Sequence, residues 1–160
     1  MSWLYADLQS NGNNLYDVVG CITNQSLPNG TGVNQANSPY HIIDTLPSGG
    51  TVDIDLANLT FFIFNDSFNV SYSGGTIKCL MIRNTDPQGD IIVRCSGSEY
   101  FRDPFNNTNA DYVLKPQAAF SPDNFIDGWA INGSNHLIRL VDQGFGATYE
   151  LAIVGVSGVF

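Results

Sequence analysis

The chain has 160 residues, 15 of them acidic and 6 basic, for a formal net charge of −9. That length accommodates one domain with a real core rather than two. Two lysines and four arginines cannot build a phosphate-neutralising surface, so nucleic acid is excluded as a partner, and anionic membrane surfaces would repel the chain. No segment approaches ~18 uninterrupted apolar residues, so no membrane span is expected. Charged residues make up only 13% of the chain, about half the usual share, so its surface must be built mainly from Asn, Ser, Thr, Gly and Gln.

In chain order, residues 1–14 (MSWLYADLQSNGNN) come first. They lack the basic start and long apolar run of a secretory leader and read as an N-terminal arm. Trp3-Leu4-Tyr5 is an apolar triplet ahead of a polar stretch. It either docks on a neighbouring subunit or forms a first strand of the chain's own sheet.

Residues 15–160 read as one β domain. Short segments rich in β-branched and aromatic residues recur between turns: 15–22, 40–45, 51–56, 60–65, 68–72, 76–84, 90–95, 111–114, 129–131, 136–141 and 147–156. No stretch of ten residues repeats apolar groups at helical spacing with caps. In 51–56, Val52, Ile54 and Leu56 alternate inward against Thr51, Asp53 and Asp55. Segment 60–65 is apolar almost throughout and is expected to be buried on both faces. Asp86-Pro87-Gln88-Gly89 and Asn132-Gly133-Ser134-Asn135 carry hairpin-turn chemistry, and 24–38 reads as a long loop. In 147–156 Ala147, Tyr149, Leu151, Ile153 and Gly155 share one face. Many short strands of this kind predict an all-β, antiparallel, jelly-roll-like β-sandwich. The expected core includes Val52, Ile54, Ile77, Ile91, Val93, Leu137, Tyr149, Leu151 and Ile153.

Candidate chemistry is sparse. Asp53 and Asp55 share a strand face at roughly 6.5–7 Å, a separation open to an acid/base pair, but outward charges on an amphipathic strand are ordinarily solvated-face residues. His41 and His136 have no partner at ligand spacing, and there is no nucleophile elbow, P-loop or dinucleotide fingerprint. Asp123, Asn124 and Asp127 make an oxygen-rich loop that suits either calcium or a plain polar turn. Cys21, Cys79 and Cys95 are odd in number and widely spaced, and read as small hydrophobes, with a Cys79–Cys95 bridge as the alternative. The sequence thus assigns no catalytic residue, no metal ligand and no cofactor. Tyr100, Phe101 and Phe105, in an otherwise polar loop, are either anchors of a protein interface or rings folded back onto the end of the sandwich.

The Asn/Gly/Thr-rich turns (Ser73-Gly74-Gly75, Asn132-Gly133-Ser134), the alternating strands 51–56 and 147–156, the scarcity of Lys and the short aromatic N-terminus resemble the small β-rich virion proteins of tailed bacteriophages, in particular capsid decoration or cement proteins. The resemblance extends over residues 15–160 in general character and carries no motif from which functional residues transfer. It implies a non-enzymatic protein on the outer surface of a capsid, bound to the major capsid protein and forming a homo-oligomer, a trimer being favoured by closed symmetry. On that reading Trp3, Leu4, Tyr5, Tyr100, Phe101 and Phe105 form the protein interface. The alternative is a carbohydrate-binding module of a fibre, with aromatics stacking on sugar rings. A third class, a hydrolase using Asp53 and Asp55, requires both carboxylates in one pocket.

Overall fold

The computed structural model describes residues 14–16, 26–63, 66–94, 97–105 and 111–158. The arm residues Trp3, Leu4 and Tyr5 lie outside these, as do Cys21 and Cys95 and with them the Cys79–Cys95 bridge. Among the described residues the only helical element is a single 3-10 turn at Asp103–Phe105, and no helix is long and apolar enough to cross a membrane.

Thirteen strands occur among the described residues. β3 (Ser38–Leu46), β7 (Thr76–Asn84) and β13 (Ala147–Val156) form the body of one antiparallel sheet, with β13 central. Its far edge is an irregular strand made of β10 (Ala119–Phe120) and β11 (Trp129–Ala130), both antiparallel to β7. β4 (Thr51–Asp55), β12 (Leu137–Asp142), β8 (Ile91–Arg94) and β9 (Tyr112–Leu114) form the second sheet in that order. The two sheets pack face to face as a β-sandwich. Two hairpin-sized sheets lie outside it: β1 (Asn14–Tyr16) with β2 (Ser26–Pro28), and β5 (Leu59–Ile63) with β6 (Asp66–Val70).

Treating the β10/β11 edge as one strand leaves eight principal strands, and their pairing is nested. The first lies beside the last (β3 and β13), the second beside the seventh (β4 and β12), the third beside the sixth (β7 and β10/β11), and the fourth beside the fifth (β8 and β9). This is one long hairpin wound into two sheets. It explains why the two strongest turn signals do not close hairpins. Asp86–Gly89 and Asn132–Asn135 each carry the chain from one sheet to the other.

The core lies between the sheets. The alternation read in 147–156 holds throughout, with Ala147, Tyr149, Leu151, Ile153 and Gly155 inward. Ile54, Ile77, Ile91 and Val93 are buried as expected, and Val52 is half-buried against the core. Leu137 is a correction. The inward face of β12 is Ile138, Leu140 and Asp142, leaving Leu137 half-buried on the other face. An acidic residue on the core face disguised the phase. The stretch 24–38 is also more than a loop. Leu27 and Ala36 pack with Cys79, Phe125 and Val154 on the outer face of the β13 sheet, forming a second small core. β5 pairs with β6 among the described residues; Thr60 is exposed, and the expected burial of the rest of segment 60–65 lies outside the described side chains.

Candidate functional site

The nested winding leaves the sandwich with two open sides, and the sequence treats them differently. On one side β9 and β10 are the sheet edges. Phe105 stacks on Phe120 at 4.6 Å and Tyr112 leans on Phe120 at 4.7 Å, so three rings bridge the gap. Phe101 is 1% exposed in the core, edge-on to Trp129 at 6.3 Å. Of the two readings of this loop, the structure places Phe101 and Phe105 in the fold-back one: an open sandwich end demands apolar cover, and a polar loop supplies it. Tyr100 is half-buried, with the Arg139 guanidinium 5.1 Å from its ring centre.

On the other side the edges are β3 and β4, each paired on one side only among the described residues. Between them runs a cleft of about 250 Å³. Its apolar lining comes from Ile42, Val52, Ile54, Leu59 and Leu151, and its polar lining includes Asp44, Asp53, Asp55, Asn58 and Tyr149. Both sequence-flagged carboxylates therefore border one opening. Neither is an isolated solvated group. Asp53 accepts two hydrogen bonds from Arg139, and Asp55 meets His136 Nδ1 at 2.9 Å while accepting the Ala57 N–H. The bidentate Arg139 contact holds the Asp53 carboxyl below its ordinary value despite some desolvation. A catalytic acid needs the opposite shift.

Tyr149 is the residue that sequence reading placed in the core without seeing its chemistry. It is 2% exposed, and its hydroxyl has no hydrogen-bond partner among the described residues. Burial, with Asp44 and Tyr40 nearby, pushes its phenol up to about 12. Asp44 spends one oxygen on the Thr45 N–H. The neighbouring Tyr40 donates to the Thr60 carbonyl at 3.2 Å.

The other flagged groups serve the scaffold. His41 and Arg83 flank Glu150 across three strands at 3.0 and 3.7 Å. In the oxygen-rich loop, Asn124 turns its side chain onto the Asp127 N–H and the Gly128 carbonyl. Lys78, the extra residue in β7 where the register slips opposite Val154 and Gly155, donates to the Ile126 carbonyl at 2.8 Å. Burial lowers its pKa, with Asp127 partly opposing. Among the described residues no three His, Cys, Asp or Glu side chains converge as metal ligands. Gly144 and Gly146 belong to a turn bound to Asp142 Oδ2, which also accepts the Gly49 N–H.

The outer face of the β12 sheet is broad. Val141, Ile92 and Val113 stand in register across three strands, and Val113 is exposed. Comparison with protein-family models, curated proteins and solved structures finds no match to this chain.

Proposed function

We propose that this chain is a non-enzymatic jelly-roll module that acts by burying its own surface on a larger assembly, and that the assembly is a phage capsid which it decorates and stabilises from outside. The nested strand pairing carries the reading. Such nesting over two sheets supports a jelly-roll reading of the sandwich, and double-sheet jelly rolls recur as viral capsid and lectin domains. The support is analogy at the level of fold, to which the surface adds chemistry. The cross-strand row Val141–Ile92–Val113 gives a flat, partly apolar face suited to a broad contact with the major capsid protein. Tyr100 borders that sheet, and Trp3-Leu4-Tyr5 supply an arm for a neighbouring subunit of a trimer.

The test is heat release of DNA from particles with and without the protein. A partner that binds only the intact shell stabilises it by mass action, so particles lacking the protein should lose DNA at lower temperature. Equal release temperatures would refute the role. Removing residues 1–12 should leave the domain folded and weaken its retention on the particle.

The second reading, carbohydrate binding, draws on Asp44, Asp55 and Asn58 around the β3/β4 cleft. It ranks lower because Tyr40 and Tyr149 beside them are buried rather than offered for stacking on a sugar ring.

A further inference from the structure

We propose that the cleft between the free edges of β3 and β4 receives a single lysine or arginine side chain carried by an extended segment of a partner protein. Charge is the first argument. Asp44, Asp53 and Asp55 border the cleft, and although Asp53 is already held by Arg139, Asp44 and Asp55 each keep an oxygen with no partner among the described residues. The floor beneath them is apolar, including Ile42 and Val52. A cationic head on an aliphatic stem matches an acidic rim over an apolar floor.

Tyr149 is the second, independent argument. Its side chain is 2% exposed, its hydroxyl opens into the cleft, and it makes no hydrogen bond to a described residue. A hydroxyl that opens into a cleft without a hydrogen bond to the protein is free to accept one from an arriving ammonium or guanidinium group. Size is the third. At about 250 Å³ the cleft falls below the ~300–1,000 Å³ of small-molecule sites, and it holds one long side chain rather than a run of sugar rings.

The edges supply the rest of the contact. β3 offers nine residues of strand that pair only with β13 among those described, and a segment laid along the free edge gains main-chain hydrogen bonds while alternate side chains enter the cleft. Among the described residues the opposite side of the sandwich is bridged by the rings of Phe105, Tyr112 and Phe120. A second copy of this chain is a poor occupant, with 15 acidic residues against 6 basic. The inference concerns the chemistry of the partner segment and stands whether or not that partner belongs to a capsid.

The experiment titrates the intact chain with a short capped peptide alternating lysine and valine, read by calorimetry and by amide NMR shifts. A norleucine-for-lysine peptide and a cello-oligosaccharide are the comparison arms. The lysine peptide should bind, shift the amides of Asp44, Asp55 and Leu151, and weaken as salt is added. Asp44→Asn should weaken it about fivefold and Tyr149→Phe about two- to threefold, the charged contact counting for more than the neutral one. Asp44 is exposed and Tyr149→Phe removes one unpartnered atom, so both variants should keep the native amide spectrum. Failure of the lysine peptide to bind, equal binding of the norleucine peptide, or indifference to both substitutions overturns the proposal. Shifts at the same amides with the oligosaccharide alone overturn it in favour of a sugar.

Discussion

Asp53 on β4 and Arg139 on β12 stand directly opposite each other in the strand register and meet fork to fork, Nε to Oδ1 at 2.5 Å and Nη2 to Oδ2 at 2.6 Å. The pair ties the edge strand β4 to its only neighbour in the sheet among the described residues, and the guanidinium also lies over Tyr100. Both side chains are more than a third exposed, so solvent screens the attraction. A double-mutant cycle of Asp53→Asn and Arg139→Met in urea unfolding should give a coupling of about 0.5–1 kcal/mol, shrinking at high salt. A coupling of zero would return Asp53 to an ordinary solvated carboxylate.

Asp142 should dominate the acid stability of the fold. It is 3% exposed, and one of its oxygens gathers the N–H groups of Gly49, Gly144 and Gly146 from two turns. Burial alone would raise its pKa, but these groups, with the Phe145 N–H, outweigh burial and leave it below 3.8. A carboxyl whose folded pKa is depressed contributes stability that is fully present above the unfolded value and is lost as pH falls through the folded one. Asp142→Ala, which strands those donors, should cost roughly 2–4 kcal/mol at neutral pH. In Asp142→Asn the acid limb of a stability–pH profile should be shallower than in the parent, and an unchanged limb would remove Asp142 from this role.

The parts of this fold that alternation can express were legible in the sequence, and the parts that depend on distant strands were not. β13 carries its faces in five clean alternations. β12 does not, because Asp142 takes a core-facing position that hydrophobicity assigns to Leu137. β2 and β10 are three and two residues long, too short for any period to register. The cleft was beyond reach for a different reason. β3 and β4 are joined by a four-residue turn with Gly49 at φ 65°, yet they belong to different sheets, which the local sequence does not express. Asp53 and Asp55 were visible as carboxylates, while Arg139 and His136, more than 80 residues away, were not visible as their partners. Nothing in a string of residues marks the Tyr149 hydroxyl as unpartnered.

Gly155, the one glycine of the central strand β13, should resist replacement. It sits where the β13–β7 register slips, and a methyl group added there would lie 2.4 Å from the Thr76 carbonyl oxygen and 2.9 Å from the Tyr72 ring. The first is backbone. The second belongs to a fully buried ring anchored by its hydroxyl to the Ser38 carbonyl at 2.9 Å. Neither can give way cheaply, so Gly155→Ala should cost about 2–4 kcal/mol in chemical denaturation. Gly133 is the matched control. Its added methyl meets nothing within 4 Å, so Gly133→Ala should change stability by about 0.5 kcal/mol or less. Equal losses at the two sites would mean that crowding does not explain Gly155.

Tyr149→Phe should leave the free protein as stable as the parent or more so, against the usual expectation for a buried tyrosine. The ring supplies the packing in the core, and Phe keeps it. The hydroxyl opens into the cleft and supplies no hydrogen bond to a described residue, so its removal forfeits no bond within the protein. The gain should be about 0–1 kcal/mol near neutral pH, read from urea midpoints at unchanged slope. The alkaline limb sharpens the test. With its pKa raised from 10.0 to about 12, the phenol contributes stability that is fully present below 10 and lost as pH climbs through 12. Phe cannot ionise, so the variant should hold its midpoint better across that window, the remaining loss belonging to Tyr40 and Tyr72, whose pKa values are raised as well. A loss above about 1 kcal/mol at neutral pH would mean that the hydroxyl already has a partner, and the cleft would then lack the open group on which ligand capture depends.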